Sequence, residues 1–175
     1  MRKIGRRLAA LLACVGTLLA LSACASDSGR AAYAAFCRAP RASEMEWTVN
    51  GVAFRGSLSL AAGEGTAHER GACIRFSSPE ALAGVVAVAE ADGLRLSLDG
   101  VAHTLPAGQV TALCVLLRAF SPEAAAAALP DGEGGLLFKD GDGQYRIRLR
   151  GDGTVDEITY TAHALTLALR VGGAL

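Results

Sequence analysis

The stretch QVTALCVLLRAF, Gln109 to Phe120, decides the fold class. Val110, Leu113, Cys114 and Leu117 fall at i, i+3, i+4 and i+7, which places them on one stripe of an α-helix. Directly after it, Ser121-Pro122-Glu123 opens a second, Ala-rich helix with a capping hydroxyl, a proline in the first turn and an acidic residue beside it. Without this run, the many short strands and glycine turns elsewhere fit a two-sheet, immunoglobulin-like β-sandwich, which stands as the alternative. With it, the chain reads as α+β.

Outward from that centre the period changes from 3.6 to 2. Asn50-Gly51, Asp92-Gly93, Asp99-Gly100, Asp142-Gly143 and Asp152-Gly153 each separate runs of apolar alternation and are hairpin signals. Met45, Trp47 and Val49 alternate with Glu44, Glu46 and Thr48. After the first turn, Val52, Phe54, Leu58 and Leu60 share a face, with Gly56 as a bulge or gap. Leu94, Leu96 and Leu98 repeat the pattern, as do Tyr145, Ile147 and Leu149, and again Leu165, Leu167 and Leu169. Strands of this kind have one apolar and one wet face, the mark of an antiparallel sheet. Residues 27–38, with Tyr33, Phe36 and Cys37, read as a further helix. The expected fold is a single curved antiparallel sheet, a half-barrel, wrapping a helical pair between Ala107 and Leu129.

The amino terminus carries Arg2, Lys3, Arg6 and Arg7, then a charge-free run from Leu8 to Ala20. As a helix that run spans about 20 Å, short of the roughly 30 Å hydrocarbon core, which favours a cleaved secretory signal over a membrane span. Leu21-Ser22-Ala23-Cys24 resembles the bacterial lipobox, a Leu and two small residues before a Cys. The resemblance implies lipid attachment at Cys24, whose thiolate is nucleophilic enough to take a diacylglyceryl group. Two or three acyl chains, at about 0.8 kcal/mol per buried methylene, give a nearly permanent anchor where one chain is marginal. The expected organisation is therefore a signal peptide over 1–23, an anchored tether and short helix over 24–41, and the curved-sheet domain over 42–175. The expected location is the extracytoplasmic face of a cell membrane.

Removing the four amino-terminal cations leaves 13 Lys plus Arg against 17 Asp plus Glu, so the zero charge of the whole chain becomes −4. Nucleic acid is not an expected partner at that charge. Cys37, Cys73 and Cys114 allow three disulfide pairings, or free thiols, and form no CxxC or Cys/His cluster, so no metal and no cofactor is expected. His68, His103 and His163 are scattered, and HExxH, GxSxG and GxGxxG are all missing, so no catalytic residue is assigned and no enzyme is expected. The acidic turn DGDGQYRIRLRG places Gly151 where a calcium loop needs its bidentate Glu, and turn chemistry accounts for it. Arg146, Arg148 and Arg150 form a stripe at strand spacing, read as a solvated face ahead of a contact with anionic headgroups.

WTVNGVAFRGSLSL, then FSSPEALAG (Phe76 to Gly84) with its following meander, and finally DGQYRIRLRGDGTVDEITY, are similar to the lipoprotein-carrier half-barrel family over roughly Glu44 to Val171. The resemblance implies a curved sheet around helices, with an acyl chain held between them. On that basis a lipid or other apolar ligand is expected among Trp47, Phe54, Phe76, Leu96, Leu113, Leu117 and Ile147, in a gap between the sheet and the helix carrying Val110, Leu113, Cys114 and Leu117. The alternative is a non-enzymatic structural or interaction lipoprotein of the cell envelope, in which the same residues fill a packed core.

Overall fold

The computed structural model describes residues 28–171, so the signal segment and Cys24 lie outside the described residues. Helix α1 (28–38) leads into six strands, β1 (Arg41–Val49), β2 (Val52–Leu60), β3 (Cys73–Ser78), β4 (Val86–Glu90), β5 (Gly93–Leu98) and β6 (Val101–Pro106). Helices α2 (Thr111–Arg118) and α3 (Pro122–Ala127) follow, and then β7 (Leu129–Pro130), β8 (Leu136–Asp140), β9 (Gly143–Leu149), β10 (Val155–Ala162) and β11 (Leu165–Arg170). All eleven strands join one curved, open antiparallel sheet in the order β6-β5-β4-β3-β2-β1-β11-β10-β9-β8-β7. Two meanders are thus joined where β1 pairs with β11. The strands form one sheet, not the two of a sandwich.

The turns follow from their residues. Asn50 and Gly51 have φ of 50° and 82°, and Asp99 and Gly100 have 50° and 83°, the left-handed pairs that match the twist of a two-residue hairpin. At Asp92-Gly93 and Asp142-Gly143 the turn falls one residue earlier, because Glu90 pairs with Gly93 and Asp140 with Gly143. Those glycines serve close approach instead: a Cβ on Gly93 would meet the Leu105 carbonyl, and one on Gly143 the Tyr160 ring. Gly56 lies at a register shift, and a Cβ there would meet the Arg75 carbonyl.

One face of the sheet is apolar across its central strands. Phe54, Trp47, Leu169, Ile158, Ile147 and Leu136 form an unbroken cross-strand row over β2, β1, β11, β10, β9 and β8. The helices pack on this face. The Tyr145 hydroxyl donates to the Val115 carbonyl at 2.9 Å, and the Tyr33 hydroxyl donates to the Ala119 carbonyl at 2.8 Å. These ties turn α2 so that Val115, Leu116 and Leu117 go deepest, while Val110, Leu113 and Cys114 are only half-buried. The predicted stripe is therefore rotated toward residues 115–117. Ser121 caps α3 as its spacing predicts, its Oγ accepting from the Ala124 amide at 3.1 Å.

On the opposite face the arginine stripe is matched by carboxylates. Arg148 and Arg150 both reach Asp156, at 2.8 and 3.2 Å, and Arg146 lies 3.5 Å from Glu133. That pairing accords with a solvated face, since exposed ion pairs of this kind contribute about 0–1 kcal/mol each.

Candidate functional site

Of the candidate ligand-binding residues, the five on strands share the apolar face. Trp47 is their centre: its ring stacks on Phe54 at 5.9 Å and meets Phe76 edge-on at 5.6 Å. Phe54 lies directly across from it on β2, and Ile147 is reached three strands away along the same row. Leu96 pairs with Ala87 on β4 and His103 on β6, on the far wing of the sheet. Burial divides the set. Trp47, Phe76, Leu117 and Ile147 are at most 5% exposed and belong to the packed core, whereas Phe54, Leu96 and Leu113 are half-buried against it.

Two cavities open on this face. The larger, about 670 Å³, lies between α2, the β4–β5 hairpin and the 66–69 segment. Cys114 and Leu117 stand on its helical side, as the sequence predicts for a gap beside that helix. Opposite them are Ala89 and Leu94, not Trp47, Phe54 or Ile147. The difference arises because the Tyr145 hydroxyl on β9 and the Tyr33 hydroxyl on α1 tie the helix and its end to the other side of the sheet, and this space lies toward β4 and β5. The second is a groove of about 490 Å³ lined by Leu82, Val85, Leu96, Leu98 and Val101, with His103 at its side. It exists because burial falls along β5, from Leu94 at 1% exposed, through half-buried Leu96, to Leu98 at 44%. The helices do not reach this end of the sheet.

Two residues that the sequence did not single out hold the helices in place. Arg70 is buried, and its guanidinium donates to four main-chain carbonyls: Ala61 at 2.8 Å, Phe120 at 3.0 Å, Ala39 at 3.1 Å, and Cys37. One side chain thereby joins the end of α1, the end of β2 and the residues after α2. Arg41 lies 3.6 Å over the Phe36 ring and donates to the Phe36 carbonyl at 3.1 Å. Neither is distinguishable by pattern from the other arginines, since their partners are ring faces and backbone oxygens brought to them by the fold.

Cys37, Cys73 and Cys114 are free thiols. Among the described residues no group of three or more His, Cys, Asp or Glu could hold a metal ion, and no helix is long and apolar enough to cross a membrane. Comparison with known proteins finds no matching family model and no matching curated protein.

Proposed function

We propose that this chain is a lipid-anchored, extracytoplasmic, non-enzymatic protein that holds an acyl chain or other apolar ligand against the inner face of a sheet wrapped around its helical pair. The anchor rests on the lipobox-like Leu21 to Cys24 and the charged and apolar segments before it. One observation carries the ligand: the apolar face continues beyond the helices as the groove at Leu96, Leu98 and Val101. An apolar surface without polar partners holds water poorly and gains by taking up alkyl groups. The tight packing of Trp47, Phe76, Leu117 and Ile147 favours a second reading, an envelope lipoprotein that binds protein partners and no lipid.

Titration with an uncharged fluorescent alkyl probe separates the two. Val101→Asp changes a side chain 76% exposed at the groove and leaves the core intact, so it is expected to abolish binding without altering the fold. Absence of binding by the unaltered chain would remove the carrier reading and leave the second. For the anchor, Cys24→Ser is expected to prevent maturation and release the protein from membranes; a variant that still fractionates with membranes at the mature size would refute it.

A further inference from the structure

We infer that the larger cleft receives the positively charged end of an amphiphile whose alkyl chain lies along β5. The inference rests on the reading that the apolar face holds an alkyl chain, and it adds the class of headgroup. Leu94, Leu96 and Leu98 project from one face of β5: the first stands in the cleft beside Cys114 and Leu117, and the other two stand in the groove. From Leu94 in the cleft to Leu98 in the groove the strand runs four residues, about 13 Å at roughly 3.3 Å per residue, within reach of a medium-length alkyl chain.

Polarity distinguishes the two ends. The groove is lined by aliphatic side chains, with Asp99 and His103 the titratable residues on its border. The cleft has an apolar floor of Ala67, Ala89, Leu94 and Leu117 beneath a rim bearing Glu69, Glu90, Asp92 and Glu123. Among the described residues the only arginine on its border is Arg118, whose Nε is held by Asp140 at 3.1 Å. Glu90 shares its charge with Arg95 at 3.4 Å, and Glu69 accepts hydrogen bonds from the Thr66 amide and hydroxyl at 2.7 and 3.0 Å. His68 is tied through Nδ1 to the Ala89 carbonyl at 3.2 Å. Asp92 and Glu123 have no ion-pair partner among the described residues and supply uncompensated negative charge at the mouth. An alkylammonium placed there meets those carboxylates while its chain stays on apolar surface. A fatty acid in the same pose would bring a fifth carboxylate to the rim.

The test is equilibrium dialysis of the purified full chain against radiolabelled dodecyltrimethylammonium, dodecanoate and dodecanol, each below its micelle concentration, at pH 7 and low salt. The ammonium is expected to bind about tenfold or more tighter than the carboxylate, a margin that two nearby charges in a partly desolvated cleft supply. Asp92→Asn with Glu123→Gln is expected to collapse that preference and leave dodecanol binding unchanged. Equal binding of the two ions, or a preference that survives the double variant, would overturn the headgroup assignment and leave the alkyl-chain reading standing. Binding of none of the three would overturn both.

Discussion

At the scale of single residues, buried polar atoms do more to fix the helices than their apolar stripes. Arg70 donates to four carbonyls, and those of Cys37 and Phe120 would otherwise be buried without this partner, at a cost of about 1–3 kcal/mol each. Arg70→Met is therefore expected to lower the unfolding free energy by about 2 kcal/mol or more in urea titration. Arg70→Lys should recover only part of that loss, because an ammonium lacks the planar fork. A loss under 1 kcal/mol for the Met variant would show that water replaces the guanidinium. Cys37 makes a second case. Burial pushes its thiol from the ordinary 9.0 up to about 11, against the lowering effect of the hydrogen bond to Tyr33 and the nearby Arg41 and Arg70 charges. Below pH 9 the thiol is protonated whether the chain is folded or not, and this contribution is intact. Between pH 9 and about 11 the unfolded chain releases its proton first, so stability falls by up to about 2–3 kcal/mol. Burial also raises the Tyr33 phenol, whose contribution begins to fall only above its ordinary 10.0. Cys37→Ala should thus remove most of the decline between pH 9 and 10, measured as urea midpoints at pH 8, 9 and 10, leaving the share of Cys114, whose thiol burial also raises. An unchanged decline would assign it to another group.

At the scale of elements, what the sequence reveals depends on whether the determinant is local. The first hairpin was legible because Asn50-Gly51 and the alternation of Met45, Trp47 and Val49 act within a dozen residues. The helical run after Gln109 was legible for the same reason, as was the Ser121 cap. The rotation of α2 was not, because Tyr33 and Tyr145, which set it, are 86 and 30 residues away from their acceptors. Glycines divide likewise. Gly56 could be read as a bulge, but the closeness of Gly93 to β6 depends on a strand pairing that no local pattern encodes. Gly93→Ala should consequently behave as a small-to-large change against backbone, costing roughly 1–3 kcal/mol and loosening β6 at the sheet edge. Faster hydrogen exchange confined to residues 93–106 would show it. Exchange unchanged there, with full stability, would mean that the strands separate by about an ångström without cost.

At the scale of the whole molecule, the strand order binds the two ends of the chain together. The first meander, β1 to β6, and the second, β7 to β11, meet through the β1–β11 ladder, and the intervening helices α2 and α3 contact β11 and β8 of the second. The candidate site inherits this arrangement: its helical wall comes from the middle of the chain, while its strand wall comes from the first meander alone. That is why the sequence could suggest the helical wall but not which strands oppose it. Both meanders and the helices contribute side chains to one hydrophobic cluster. Unfolding should accordingly be a single cooperative event, as is usual for domains of this length. Trp47, the sole tryptophan, stands on β1 at the seam and reports on both meanders through Phe54 on one side and Leu169 on the other. Its fluorescence in urea should change at the same midpoint as the far-ultraviolet circular dichroism of the whole sheet. If the dichroism instead falls in two steps, with Trp47 following only one, the meanders fold separately and the seam is an interface between two units.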